Sequence, residues 1–401
     1  MPQKDVAVFF WAQDRRRGQN DIQLPLTQNG RLKHSASHLK HMVLAQPCDT
    51  QRSPRDIYGP HSPDAEDNLM PVKIEHYREM GEFAYGLVDH MTPMIRRVIC
   101  KNPTPFTYKG TGTYIVGKGK VAVIDPGPAL ASHVDDALAA LGPDEEVTHI
   151  FITHTHSDHS AMTDRMKALT GAQAYGFGPH GEVRQFDPLD KVDFSKYLTP
   201  EEKAAFDHEW DALPETLKRE GPDLDFVPDE RLRDGDIIEG NGWTLTAIHT
   251  PGHCSNHLCY YLAEENSLFS GDHVMGWATS VVGPPDGSMQ DYLASLRKLL
   301  PRQDARYWPT HGPAITEPKP YIQAFITHRE EREAQIIAYL RTGAKQIADF
   351  VPEMYAGYDK RLWYPAAHSV HAHMIHLVET GRARVADGHE PKLTATYELS
   401  R

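Results

Sequence analysis

The stretch FITHTHSDHSAM, residues 151–162, decides the fold, because three histidines and an aspartate fall within six of its residues. The apolar run before it, VTHIFIT, predicts a buried strand that delivers His154 at its end. Side chains alternate along an extended chain, so His154 and His156 lie on one side of it. Asp158 and His159 follow where the chain turns into a helix and can face a second point nearby. Imidazole and carboxylate groups suit zinc, and also manganese or iron, so the cluster predicts a metal site.

Six residues cannot complete two coordination shells, so further ligands are expected at the ends of later strands. Three candidates occur in turns marked by Gly or Pro after β-like runs: His253 in TPGHC, Asp272 in SGDH and His311 in PTHGP. The sequence has no GxSxG elbow, no HExxH motif and no P-loop, which would indicate other catalytic chemistries. The candidate ligands therefore indicate a metal-dependent reaction.

Strand and helix patterns alternate around the cluster. The run TYIVGKGKVAVIDPG, residues 113–127, predicts a hairpin at its Gly-Lys-Gly turn, and a second hairpin is expected at residues 264–266. SHVDDALAALG, residues 132–142, predicts a helix capped by Ser132, and SAMTDRMKALTG, residues 160–171, predicts another. This alternation is typical of an α/β sheet protein.

Composition divides the chain into three parts. Residues 1–70 are polar with little periodicity and predict a poorly structured extension. Residues 71–317 form the predicted catalytic domain, interrupted by a polar segment at about 181–234 that predicts a helical insertion or lid. Residues 318–401 carry three helical patterns and a Gly-Arg-Ala-Arg-Val strand, which indicate a winged-helix-like domain.

The ordered motifs HxHxDH, TPGH, GD and HG resemble the signature of the metallo-β-lactamase superfamily. The flanking segments 102–117, 271–300 and 327–340 resemble its lactamase-beta-2-like branch. Members of that branch carry a C-terminal winged-helix-like domain, and some are reported as endoribonucleases for single-stranded RNA. The resemblance implies a four-layer αβ/βα sandwich, with two mixed sheets and helices outside, followed by the winged-helix-like domain.

The resemblance also implies a binuclear centre with two zinc ions, for which manganese or iron are alternatives. Its ligands would be His154, His156 and His253 for one ion, Asp158, His159 and His311 for the other, and Asp272 as the bridge. Asp125, in VIDPG, would support a ligand histidine from outside the coordination shell. The nucleophile would be a hydroxide between the two ions, and Asp158 would position this hydroxide or shuttle a proton.

Cys254 follows His253 directly, so its side chain is expected to point away from the metal and to pack. The β-lactamase subclass with a cysteine ligand places that cysteine where this chain has Asp272, which argues against a dedicated β-lactamase. The aromatic residues Trp277, Tyr292 and Trp363 and the histidines of HSVHAHMIH are expected to pack as well. Four cysteines without CxxC spacing predict reduced thiols and a cytoplasmic protein.

Such a hydroxide can attack either phosphorus or a carbonyl carbon, so both substrate classes remain as alternatives. The branch resemblance favours a phosphodiesterase or endoribonuclease acting on single-stranded RNA. The formal net charge of −13 disfavours nucleic acid and favours a small-molecule ester, thioester or lactone, including weak β-lactamase activity. A non-catalytic regulatory binder is the third alternative. No run of about 18 apolar residues occurs, so no membrane partner is predicted; a homodimer is one alternative for the oligomeric state.

Overall fold

The computed structural model describes residues 80–104, 106–181, 192, 194, 197–205, 221–356, 360 and 363–400. The predicted extension, residues 1–70, lies outside this range, as do residues 182–191 and 206–220 of the predicted insertion. No helix in the described ranges combines the length and the apolar character needed to cross a bilayer.

A mixed sheet of seven strands forms the first half of the main fold. Its strands run in sequence order, namely β1 (Val88–His90), β2 (Ile95–Ile99), β3 (Gly112–Val116), β4 (Lys120–Ile124), β5 (Glu146–Phe151), β6 (Gln173–Gly176) and β7 (Glu230–Arg231). The first four strands pair antiparallel, whereas β4 to β7 pair parallel. The predicted hairpin is confirmed as β3 and β4, joined by a turn in which Gly117 and Gly119 have positive φ angles.

A second mixed sheet has five strands. They are β8 (Ile237–Glu239), β9 (Thr244–His249), β10 (Leu258–Leu262), β11 (Ser267–Gly271) and β12 (Arg306–Pro309), in the order β12-β11-β10-β9-β8. The predicted second hairpin is confirmed as β10 and β11, which are joined by a 3₁₀ turn at Ala263–Glu265. Strand β12 pairs parallel to β11, so β9, β11 and β12 all run in one direction.

The two sheets pack face to face with helices outside, as predicted. Buried residues of both sheets share one core, including Tyr114, Phe151, Tyr260 and Trp308. The outer helices of the first sheet are α1 (Ala131–Ala139) and α3 (Thr163–Thr170), and α4 (Met289–Leu299) covers the second. The short helix α2 (Ser157–Ser160) follows β5 in the chain and precedes α3. The order helix, sheet, sheet, helix is the four-layer αβ/βα sandwich.

Two details of the predicted helices are wrong. Helix α1 begins at Ala131 rather than after Ser132, and its cap residue Leu130 makes no side-chain hydrogen bond. The backbone N–H of His133 already bonds to Leu130 O, which places Ser132 inside the first turn. The helix expected over residues 160–171 is split, because α2 ends at Ser160 and the N–H of Met162 donates to Gly127 O.

The C-terminal part has its own apolar core, built on three helices as predicted. These are α5 (Pro318–Arg341), α6 (Ile347–Met354) and α7 (Trp363–Glu379). The predicted terminal strand is β14 (Ala383–Val385), and two strands that were not predicted, β13 (Lys345–Gln346) and β15 (Thr396–Leu399), complete a three-stranded sheet. Three helices beside a small antiparallel sheet are the architecture of a winged-helix domain.

Candidate metal centre

The predicted ligands follow strands whose C-terminal ends meet at one edge of the sandwich. His154 follows β5, His253 follows β9, Asp272 follows β11 and His311 follows β12. The first turn of α2 adds Asp158, and parallel pairing brings Asp125 from the end of β4 beside them. The structure therefore brings all seven predicted ligands and Asp125 to one place.

Three histidines form the first group of donor atoms. His154 Nε2 and His253 Nε2 each lie 3.0 Å from Nδ1 of His156. One imidazole nitrogen offers either a single lone pair or a single hydrogen, so Nδ1 of His156 cannot be hydrogen-bonded to both. Nδ1 of His253 donates to Val281 O at 2.6 Å, which leaves the lone pair on Nε2 free. This lone pair is directed at the point where Nε2 of His154, Nε2 of His253 and Nδ1 of His156 meet, the shared point of the first group. This convergence fits a cation.

The second group combines two histidines with two carboxylates. His311 Nε2 lies 3.1 Å from Asp158 Oδ2 and 3.4 Å from Asp272 Oδ2. His159 Nε2 lies 3.4 Å from Asp158 Oδ2 and 3.6 Å from Asp272 Oδ2. Asp272 Oδ2 is also 3.9 Å from His253 Nε2, so this carboxylate lies between the two groups, where a bridging ligand is expected.

The chemistry of these atoms fits metal ions. His159 Nε2 and Asp272 Oδ1 are buried and have no hydrogen-bond partner among the described residues, which is costly unless a cation or a water satisfies them. Three sets of side chains have donor atoms that all lie within 4.8 Å of one another: His154, His156, His253 and Cys254; His154, His159 and Asp272; and Asp158, His159 and His311. Nitrogen and carboxylate donors in such compact sets are typical of zinc, manganese and iron sites.

Hydrogen bonds to residues outside the donor set fix the orientation of the two histidine rings in the second group. Nδ1 of His159 donates to Asp125 Oδ2 at 2.9 Å, and Nδ1 of His311 donates to Gly110 O at 3.3 Å. The Asp125 carboxylate also accepts from Thr153 N and Oγ1, both at 2.8 Å, and from Thr310 Oγ1 at 3.0 Å. Both Nε2 atoms are thereby directed toward the carboxylates.

The electrostatics differ between the two groups. Burial lowers the pKa of His156 to about 3, and it also lowers the pKa of His154 and of His253, so these rings are neutral with lone pairs available. Burial alone would lower the pKa of His311 too, but Asp272 and Asp158 raise it to about 10. Because the carboxylates of Asp158 and Asp272 are both buried in the second group, their negative charge must be compensated there. A divalent cation would supply that positive charge.

The prediction that Cys254 packs is confirmed, but its side chain does not point away from the ligand histidines. Its side chain is buried, but Sγ lies 3.3 Å from Nε2 of His156. The chain reverses immediately at His253: Gly252 has a φ of 137°, and its N–H donates to Cys254 O at 3.2 Å. Alternation of side chains holds only for an extended chain, so adjacency to His253 does not direct Cys254 away.

Several residues around the centre were missed by sequence reasoning. His257 Nε2 accepts from the backbone N–H of Asp272 at 3.1 Å, and Nδ1 of His257 lies 2.9 Å from Thr250 Oγ1. The position of His257, four residues after His253, was an available signal. No side-chain type could mark Val281 O or Gly110 O, because every residue has a carbonyl.

The aromatic residues near the centre mostly pack, as predicted. Tyr292 is fully buried and its hydroxyl donates to His273 O at 3.0 Å, while Trp363 belongs to the core of the C-terminal domain. Trp277 is half-buried and stacks on Tyr108 with ring centroids 4.9 Å apart. Its backbone adjoins the His311 turn, since the N–H of Gly276 donates to His311 O at 3.1 Å.

Comparisons with known proteins agree with this architecture. The family model described as "Metallo-beta-lactamase superfamily" matches residues 109–311, half of the chain, and the "Beta-lactamase associated winged helix domain" matches residues 347–390. A beta-lactamase-like protein 2 homolog of Drosophila melanogaster is 28% identical over 307 residues, which cover 75% of this chain and 92% of that protein.

Two further similarities concern a thioesterase and a solved structure. An atrochrysone carboxyl ACP thioesterase of Paecilomyces divaricatus is 29% identical over 255 residues, 63% of this chain and 66% of that protein. The crystal structure of a beta-lactamase domain protein from Burkholderia ambifaria superposes with a TM-score of 0.61 at 18% identity, covering 80% of this chain and 95% of that one. The latter similarity concerns the fold alone.

Proposed function

The chain belongs to the metallo-beta-lactamase superfamily, and on that premise we propose that it is a metal-dependent hydrolase of thioesters or related small esters. The observation that carries the hydrolase proposal is the convergence of seven donor side chains, in which His159 Nε2 and Asp272 Oδ1 have no hydrogen-bond partner among the described residues. A cation would stabilise such buried atoms.

Two zinc ions are the proposed cofactors. His154, His156 and His253 would hold one, Asp158, His159 and His311 would hold the other, and Asp272 would contact both. When bound, such ions supply Lewis acidity, which lowers the pKa of a bound water to about 7 and polarises a carbonyl or phosphoryl oxygen.

The protein side chains do the rest of the proposed chemistry. Asp158 is the proposed proton carrier, because its side chain is 10% exposed while its Oδ2 lies 3.1 Å from His311 Nε2. Asp125 keeps the ring of His159 in one orientation, and Gly110 O does the same for His311. These contacts fix the donors before substrate arrives, which avoids reorganisation during the reaction.

Thioesters are favoured as substrates by charge and by relatives. The formal net charge of −13 works against the binding of a polyanion, whereas it does not oppose a neutral acyl carbon. The relative from Paecilomyces divaricatus is named a thioesterase. We also propose a cytoplasmic location, in keeping with the buried thiols of Cys254 and Cys259, which form no disulfide.

Phosphodiester cleavage in single-stranded RNA is the second candidate. The winged-helix domain favours it, because this fold can contact nucleic acid, and two cations about one carboxylate suit the in-line displacement of a phosphodiester. The two candidates differ in the part of the substrate that the site must bind. It is an acyl chain for a thioester and a phosphate backbone for RNA.

The test is a substrate panel on purified protein with measured metal content. The panel contains acyl thioesters, lactones, nitrocefin, bis-p-nitrophenyl phosphate and single-stranded RNA. We expect thioester hydrolysis that disappears in His156→Ala and Asp158→Ala and persists in His389→Ala, whose side chain is exposed in the C-terminal part. Hydrolysis that survives exhaustive chelation would overturn the proposal of a metal-dependent hydrolase. Preferential cleavage of RNA would replace thioesters with the second candidate.

A further inference from the structure

Cys254 contacts the nitrogen of His156 that faces away from the metal centre. Nδ1 of His156 lies 3.0 Å from Nε2 of both His154 and His253, so this nitrogen belongs to the first donor group. Sγ of Cys254 lies 3.3 Å from Nε2, the other nitrogen of the same ring. The thiol is thus beside a candidate ligand, on the side opposite to the shared point.

The protons of this contact can be assigned. A neutral imidazole carries one hydrogen, and a lone pair on Nδ1 for the shared point requires that hydrogen on Nε2. Nε2 of His156 therefore donates to Sγ of Cys254.

The turn that carries Cys254 is itself held by hydrogen bonds. Asp286 Oδ2 accepts from Ser255 N at 3.0 Å, and the N–H of Gly252 donates to Cys254 O at 3.2 Å. These two bonds, on either side of Cys254, fix the backbone from which the thiol reaches Nε2 of His156.

We propose that Cys254 is a positioning residue of the metal centre: its thiol accepts from His156 Nε2–H and so directs the Nδ1 lone pair of His156 at the first metal ion. The inference rests on the proposed function, because it requires that the three histidines bind a metal. In many metal sites a carboxylate or carbonyl contacts the outer nitrogen of a ligand histidine directly. Here a thiol takes that position.

A direct metal–sulfur bond is the competing account, since Cys254 belongs to a set of donors within 4.8 Å of one another. Geometry argues against it. His156 can present only one nitrogen to the ion, and the nitrogen that meets His154 and His253 is not the one that meets sulfur. If Cys254 were a ligand, it would have to leave its contact with Nε2.

The test compares Cys254→Ser, Cys254→Ala and Cys259→Ala in the full chain. Cys259 is an equally buried thiol that contacts Thr250 and Ser270 instead, so it controls for the loss of a buried sulfur. Zinc affinity is measured by chelator competition, and nitrogen-15 NMR of labelled histidine reports the His156 tautomer with and without zinc. We expect Cys254→Ala to lower the zinc affinity of the three-histidine group by about tenfold to hundredfold. The zinc affinities of Cys254→Ser and Cys259→Ala should stay within about threefold of the wild-type value.

Each alternative result is distinguishable. Equal zinc affinity for Cys254→Ala and wild type, or a His156 ring protonated on Nδ1 in the metal-free wild type, would overturn the inference. A thiolate-to-metal charge-transfer band in the cobalt-substituted wild type, absent from Cys254→Ala, would make Cys254 a ligand and overturn it as well. A wild type that binds no metal defeats the proposed function instead, while the tautomer of its His156 still tests the hydrogen bond.

Discussion

Nδ1 of His159 donates a hydrogen bond to Oδ2 of Asp125 at 2.9 Å, and both side chains are fully buried. Asp125 has a φ of 53°, in the left-handed region that residues other than glycine seldom adopt. Its N–H donates to Phe151 O, and its carboxylate accepts from Thr153 and Thr310. One carboxylate therefore connects the ends of β4, β5 and β12 and orients a candidate metal ligand.

We predict that Asp125→Asn weakens the metal centre without removing any ligand. The amide keeps the size of the carboxylate but loses its charge, and it presents an N–H₂ group to at least one of the donors from Thr153, His159 and Thr310. Metal affinity of the second group should fall by about tenfold to hundredfold. The free energy of unfolding should fall by about 1–3 kcal/mol, because buried donors lose their acceptor. Chelator competition and denaturant unfolding measure the two effects.

Asp135→Asn is the matched control. The Asp135 side chain is 60% exposed on α1 and pairs only at the surface with Arg165. Exposed ion pairs contribute little, so neither metal affinity nor stability should change measurably. If Asp125→Asn behaved like this control, the role assigned to Asp125 would be wrong.

Much of the centre could be predicted from sequence because its ligands are chemically distinctive and follow strands. Histidine and aspartate in Gly- or Pro-marked turns stand out, and strands of one direction end at one edge of a sheet. The direction of Cys254 could not be predicted, because it depends on the backbone of the turn at Gly252. Strands β13 and β15 were missed for a similar reason: Lys345 and Gln346 form a strand only by pairing with Thr396 and Tyr397, about fifty residues away.

Removal of metal should lower the thermal stability of the protein. Asp158 and Asp272 are buried together against His159 and His311, and a divalent cation would compensate their charge better than protons on the two rings. Ligand binding to the native state stabilises it by about 3 kcal/mol at a hundredfold excess over Kd. We expect the Tm to fall on exhaustive chelation and to recover with added zinc, measured by differential scanning calorimetry. A Tm indifferent to both treatments would contradict the binding of metal at this centre.

The stability of the protein should depend on pH through His133. Nε2 of His133 lies 2.7 Å from Thr113 Oγ1, and the hydroxyl donates to Asp125 O, so Nε2 carries the hydrogen. Nδ1 is buried without a partner, and burial lowers the pKa of His133 from 6.5 to about 4. The unfolded chain therefore binds a proton at a higher pH than the native protein does. The contribution of neutral His133 to the free energy of unfolding is fully present above pH 6.5 and is lost as the pH falls toward 4.

Replacing His133 by Gln removes this titration. Between pH 6.5 and 4.5 the wild type should lose about 2 kcal/mol more unfolding free energy than His133→Gln, since each pKa unit corresponds to about 1.4 kcal/mol. Urea unfolding at a series of pH values provides the measurement. Ser132→Ala is the control, because Ser132 is the exposed neighbour and does not cap the helix. Parallel pH profiles for wild type and His133→Gln would show that His133 stays accessible to protons.

Gly110→Ala should damage the centre through the backbone alone. Gly110 has a φ of 124°, and an added Cβ would lie 2.0 Å from Cys100 O. The segment must therefore move, and with it Gly110 O, which accepts from Nδ1 of His311. We expect metal affinity at the second group to fall by about tenfold or more and the unfolding free energy to fall by about 2–4 kcal/mol.

Gly171→Ala separates backbone strain from this displacement. Gly171 also has a positive φ, 72°, but no atom would lie within 4 Å of its Cβ. Gly171 ends α3 and contacts none of the donors, so the substitution should cost about 1 kcal/mol of stability with metal affinity unchanged. Chelator competition and urea unfolding on both variants make the comparison. If Gly110→Ala lost stability but bound metal as tightly as Gly171→Ala, then the carbonyl of Gly110 would not be what orients His311.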